Sequence, residues 1–180
     1  MNAADVIRKD RVELSLKADT KEEALRELVD ILYESGALTD KEGFLKDVLD
    51  RESVSTTGIG NGIAIPHGKS ANVRETTVAI GRTKTPLGWE SVDEKPVSLI
   101  VLLAVNENDK TNVHVKLLSQ MARKLASEES CKRLLEAKTA DEITAIFSFP
   151  YSENIAVISS AVFASKSLLQ LSSDASFLAI

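Results

Sequence analysis

Val97-Ser98-Leu99-Ile100-Val101-Leu102-Leu103-Ala104-Val105 is an almost uninterrupted apolar run. A half-buried strand alternates apolar and polar residues, whereas a run like this one belongs to a central strand covered on both faces. Such a strand requires helices on two sides of its sheet. The chain is therefore expected to form an α/β fold, a single-domain sandwich in which a mixed β-sheet is flanked by helices on both faces.

The flanking segments supply the partners. Val12-Glu13-Leu14-Ser15-Leu16 alternates like a strand with one buried face. Thr20-Lys21-Glu22-Glu23 is a capping box that opens a helix carrying Ala24, Leu25, Leu28, Val29, Ile31 and Leu32, with Gly36 as its stop. A second box, Thr39-Asp40-Lys41-Glu42, opens a helix with Phe44, Leu45, Val48 and Leu49 inward, running toward Arg51-Glu52. Glu75 to Arg82 is rich in β-branched residues and reads as a strand, followed by an irregular connection at Pro86, Gly88 and Trp89. Helical patterns return over Val113–Ala126, Glu128–Ala137 and Ala140–Phe147, the last behind a third box at Thr139-Ala140-Asp141-Glu142.

With 180 residues, 43% hydrophobic and 27% charged, the chain is expected to fold as one well-buried domain over residues 1–150. Residues 151–180 differ, with eight serines and three charges among apolar side chains such as Ile155, Val162 and Leu168. This extension reads as an amphipathic packing segment or the start of a linker, with an extension of no consequence as the third choice. It is too short in charge-free sequence to span a bilayer, which needs ~20 apolar residues, so no direct membrane insertion is expected. A net charge of -5 without a local basic run argues against nucleic acid as a partner. The single cysteine, Cys131, and an N-terminus without a secretory pattern point to the cytoplasm.

The densest chemical signal is Thr56-Thr57-Gly58-Ile59-Gly60-Asn61-Gly62-Ile63-Ala64-Ile65-Pro66-His67-Gly68-Lys69, which holds four of the eight glycines and one of the two histidines. Gly62 to Ser70 ends like a phosphate-cradling P-loop, yet it has five residues between its glycines where that motif has four, Pro66 interrupts it, and no helix pattern follows. The dinucleotide fingerprint fails for want of a small residue at Ile63. Two histidines 47 positions apart, with no His or Cys pair at ligand spacing, make no metal set, and no Gly-x-Ser-x-Gly elbow presents a serine.

His67 is read either as a loop histidine making structural hydrogen bonds or as a nucleophile. Imidazole is largely uncharged at neutral pH, so a ring nitrogen can attack phosphorus and leave again, which makes histidine suited to reversible phosphoryl transfer. Such a site needs fixed donors for the equatorial oxygens. Thr56, Thr57, the backbone at Gly58 and Arg51 could supply them. Arg51 is equally a helix-end cation for terminal carbonyls, and the sequence leaves those two roles open.

The blocks Arg51-Glu52, Thr57-Gly58-Ile59-Gly60, Ile63-Ala64-Ile65-Pro66-His67, Pro96-Val97, His114-Val115-Lys116-Leu117-Leu118-Ser119, Ala122-Arg123-Lys124-Leu125-Ala126 and Ala137-Lys138-Thr139 occur together and in order. In them the chain resembles the enzyme IIA component, fructose-mannitol type, of the bacterial phosphoenolpyruvate-dependent sugar phosphotransferase system, over about residues 5–149. The resemblance implies an α/β sandwich in which His67 takes phosphate from the phosphohistidine of HPr and passes it to a cysteine of the sugar-specific IIB component. It also implies that His114 and Arg51 lie beside the active histidine.

On this reading the transfer is in line and needs no cofactor, metal or nucleotide. The second ring nitrogen of His67 should donate to a fixed acceptor such as a backbone carbonyl. A protein partner requires an accessible depression, rimmed by Ile59, Ile63 and Ile65 unless these are core. The nitrogen-related branch of the same family shares the histidine loop and signals through phosphorylation-dependent protein binding. The loop alone does not separate that role from sugar transport, and Trp89-Glu90-Ser91 with Pro96-Val97, together with the Leu117-Leu118-Ser119-Gln120 helix, resemble fructose-type proteins and so favour transport.

Overall fold

The computed structural model describes residues 2–148. The expectations for 151–180 lie outside the described residues. Element order is α1 (Ala3–Val6), β1 (Ile7–Leu16), α2 (Lys21–Glu34), α3 (Lys41–Glu52), β2 (Gly58–Gly60), β3 (Ile63–Ala64), β4 (His67–Ser70), β5 (Thr77–Leu87), β6 (Val97–Asn106), α4 (Thr111–Leu125), α5 (Glu128–Glu136) and α6 (Ala140–Ser148).

The apolar run is β6, the axis of a six-stranded sheet ordered β1-β5-β6-β3-β2, with β4 also on β6. β5 lies antiparallel to β6 along one side. On the other side β3 pairs in parallel at Leu99 and Ile100, and β4 in parallel from Leu103 to Asn106. The sheet is mixed, because β1 runs parallel to β5 and β2 antiparallel to β3.

Alternation along β6 divides the core. Leu99, Val101, Leu103 and Val105 join Leu117, Met121, Leu125, Leu134 and Ile143 of α4, α5 and α6 on one face. Ile100, Leu102 and Ala104 join Leu25, Leu28, Leu32, Phe44 and Val48 of α2 and α3 on the other. This is the sandwich the patterning demands.

Local signals hold with differences at α3, at β5 and at α4, which starts at Thr111 and not at Val113. α2 starts at a complete capping box between Thr20 and Glu23 and stops at Gly36 with φ +78. α3 is capped by Asp40, whose carboxylate accepts from the Glu42 N–H, and not by Thr39. Thr39 instead turns to the Asn72 carbonyl in a short bridge between Leu38 and Val73. β5 runs on through Pro86 to Leu87, with a register break after Arg82 absorbing the proline, so the irregular connection begins two residues later than expected.

The glycine-rich stretch is not a loop. Gly60, Asn61 and Gly62 take left-handed φ values of +92, +54 and +74 and turn the chain between β2 and β3. His67 then opens a strand. Gly68-Lys69-Ser70 continues that strand and starts no helix, in agreement with the rejection of a P-loop.

Candidate functional site

Two ends of secondary structure meet at His67. β4 brings the histidine to the sheet beside the start of the second half of β6, paired with Leu103. The next residue, Gly68, faces α3: a Cβ there would stand 2.9 Å from Val48 and 3.2 Å from Phe44, so only glycine lets β4 seat this close. By alternation His67 turns the other way, toward the face covered by α4. The last turn of α3 supplies Arg51.

The imidazole is held at both nitrogens. Its Nδ1 lies 3.1 Å from the Ile65 carbonyl oxygen, and the Arg51 Nε–H donates to Nε2 at 3.2 Å. A guanidinium has donors only, so Nε2 must carry the lone pair and Nδ1 the proton. This assigns one neutral tautomer. Burial pulls the His67 pKa from 6.5 to about 3, helped by the charge of Arg51 and by His114, while the Ile65 carbonyl works in the opposite direction. His67 is 5% exposed. The expected accessible depression is therefore absent at the ring itself, which lies beneath its neighbours.

Arg51 is 8% exposed and also donates from Nη1 to the Ser55 hydroxyl at 3.1 Å. From the last turn of α3 the guanidinium is thus aimed at the histidine. His114, in the second turn of α4, is half-buried and close enough to affect the charge of His67. Of the residues expected beside His67, Arg51 contacts the ring and His114 acts on it through charge.

The expected phosphate donors divide. The Thr56 hydroxyl donates to the Glu90 carbonyl and accepts from the Gly58 N–H at 3.2 Å, so both groups are engaged within the backbone frame. Thr57 Oγ1 is buried without a hydrogen bond, while the Thr57 carbonyl receives the Ile65 N–H at 2.9 Å. Thr57 is thus tied to the residue that tethers the imidazole. Ile63 and Ile65 are core residues at 0% and 2% exposure, and Ile59 is half-buried against the same core, so none of them forms the rim.

Sequence reading misses Ser55 and the segment after β5. Ser55 stands four residues beyond Arg51, a spacing that leaves no signal once the helix has ended. Residues 90–93 line the hairpin: Val92 N–H donates to the Gly58 carbonyl at 3.2 Å, Gly60 N–H to Ser91 Oγ at 3.1 Å, and Asn61 N–H to the Asp93 carboxylate at 3.0 Å. Among the described residues no group of three His, Cys, Asp or Glu side chains is placed to hold a metal ion. Nor is any helix among them long and apolar enough to cross a membrane.

Fold and site together define an α/β sandwich domain with a buried histidine–arginine centre at one margin of its sheet. Residues 5–149 match the family described as phosphoenolpyruvate-dependent sugar phosphotransferase system, EIIA 2, and the chain belongs to that family of phosphotransferase components. It is 38% identical over 143 residues to the fructose-specific EIIABC component of Bacillus subtilis (strain 168), covering 79% of this chain and 22% of that protein. The chain thus spans about a fifth of that relative's length. Among solved structures, the nitrogen regulatory protein IIA-Ntr from Neisseria meningitidis superposes with a TM-score of 0.75 at 30% identity, covering 81% of this chain and 98% of that one. The IIA mannitol structure from Escherichia coli does so with a TM-score of 0.65 at 26% identity, covering 77% and 96%.

Proposed function

We propose that this chain is a cytoplasmic phosphoryl carrier of a sugar phosphotransferase system, accepting phosphate on His67 from phospho-HPr and passing it to a cysteine of a fructose-type or mannitol-type IIB component. The supporting observation is the assigned tautomer: Nδ1–H is spent on the Ile65 carbonyl, and the lone pair of Nε2 points to the guanidinium. Nε2 attacks phosphorus, the new P–N bond forms as the P–N bond of the donor imidazole breaks, and the donor ring leaves with that bond's electron pair. No proton has to be removed from His67 beforehand. On delivery a cysteine thiolate attacks the same phosphorus and His67 recovers its lone pair.

Arg51 has two tasks in this scheme. At rest its Nε covers the nucleophilic lone pair, and the arriving phosphoryl group displaces it from the ring to the equatorial oxygens, where a planar fork binds two at once. His114 and Thr57 complete the donor set, with Thr56 and Gly58 shaping the cradle. Because the ring is 5% exposed, partner docking must accompany that displacement.

Incubation with phosphoenolpyruvate, enzyme I and HPr should place one acid-labile phosphate on each chain. His67→Ala should carry none, and label persisting in that variant would remove the proposal. A regulatory reading, in which phosphorylation controls binding to other proteins, is favoured by the similarity to IIA-Ntr at a TM-score of 0.75. Transfer of the label onto a fructose-type IIB cysteine decides for transport. Retention of the label in the presence of both a fructose-type and a mannitol-type IIB decides for regulation.

A further inference from the structure

Lys21 is misplaced for the helix it opens. It is the first residue of α2, where the positive end of the helix dipole disfavours a cation, and the first turn otherwise holds Glu22 and Glu23. Its compensation comes from elsewhere. Lys21 Nζ lies 2.8 Å from Glu52 Oε2 and 3.0 Å from Glu90 Oε2, and 4.8 Å above the ring of Trp89. Burial alone would lower its pKa, but the carboxylates, Glu52 foremost, outweigh it and hold the ammonium above the ordinary lysine range.

The three partners belong to the walls of the site. Glu52, with a side chain only 4% exposed, follows Arg51 in the last turn of α3. Trp89 and Glu90 begin the segment that lies along the hairpin, where the Glu90 carbonyl receives the Thr56 hydroxyl and Ser91 bridges to Gly58. A Cβ at Gly58 would meet the Glu90 carbonyl oxygen and stand 2.8 Å from Ser91 Cα, so the hairpin position depends on where that segment sits. Among the described residues, Lys21 is the group that touches both the arginine-bearing helix and this segment by charge.

We propose that Lys21 is a positioning residue for phosphoryl transfer: pinned between Glu52 and Glu90, it sets the spacing between Arg51 and the Thr56–Gly58 cradle. The role rests on the phosphoryl reading above. A brace that only stabilised the fold would affect melting alone. A positioning brace governs the rate once the donor is bound, because small displacements at a transfer site are costly.

The test uses Lys21→Met, which keeps the stem over Trp89, the double variant Lys21→Met/Glu52→Gln, which leaves no unpaired buried carboxylate, and Lys21→Arg. Single-turnover transfer from phospho-HPr should slow by about tenfold or more in the first two, with the half-saturating donor concentration unchanged, and Lys21→Arg should restore it. Amide exchange at Gly58 and Gly60 should quicken relative to core amides of β6. If the double variant shows wild-type transfer, or loses melting temperature with no selective change at those amides, the proposal is overturned. A wild-type chain that takes no phosphate would overturn the phosphoryl reading and the transfer role with it. The amide comparison would then still decide whether Lys21 holds the hairpin.

Discussion

His67 carries its proton on Nδ1 and resists a second one down to a pKa of about 3. Its ring resonances should therefore show no titration between about pH 5 and 8, and a midpoint near the ordinary value of about 6.5 would contradict the burial seen here. Stability should follow. The unfolded chain binds a proton at this residue below about pH 6.5 while the folded chain does not, so stability falls as pH drops from about 6.5 toward 3, by up to about 1.4 kcal/mol per unit. Urea unfolding midpoints of the wild type should thus decline more steeply over that window than those of His67→Gln. Arg51→Lys keeps the charge and loses the fork, and transfer should fall by about a hundredfold, read by phosphate labelling against time. The family resemblance brings Arg51 to the site, and His67 itself is legible because its neighbours in the chain are so restrictive. Burial of the ring is not, since it depends on Arg51 folding over Nε2 from another element.

At the level of elements, the glycines of the hairpin divide by cause. Gly60 and Gly62 answer to positive φ, whereas Gly58 answers to the backbone of Glu90 and Ser91 lying against it. Gly58→Ala should destabilise by about 1–3 kcal/mol and slow transfer, measured by denaturant unfolding and labelling together, because the segment 90–93 has to move to admit a methyl group. At the start of α3, Asp40→Ala should cost about 1 kcal/mol, more than Thr39→Ala, since Asp40 is the residue that caps Glu42. The starts of α2, α3, α5 and α6 are legible to within a residue because capping is local, whereas α4, with no side-chain cap at Lys110, begins two residues before the expected Val113. β4 escapes notice because Pro66-His67-Gly68-Lys69-Ser70 lacks alternation, and it becomes a strand only by pairing with β6. The role of Lys21 is equally hidden: its carboxylate partners lie on two distant elements.

For the whole molecule, β6 is shared property: it belongs to both cores and offers a pairing edge to β3 and β4 together. Leu103→Ala, at 0% exposure and opposite His67 in register, should cost about 2–5 kcal/mol in chemical unfolding, and Ile100→Ala on the other face a similar amount. The architecture is legible from β6 alone, because a strand without a polar face dictates its covering layers. The side of the sheet on which each helix packs is settled by chain connections that no single residue announces. One detail of the sheet has a chemical sequel. β2 gives out at Gly58, and beyond it Ile65 sends its N–H to Thr57 and its oxygen to the imidazole. The ring thus substitutes for a backbone neighbour that ended early, and were the hairpin longer, a peptide N–H would claim that oxygen and leave Nδ1 without its fixed acceptor.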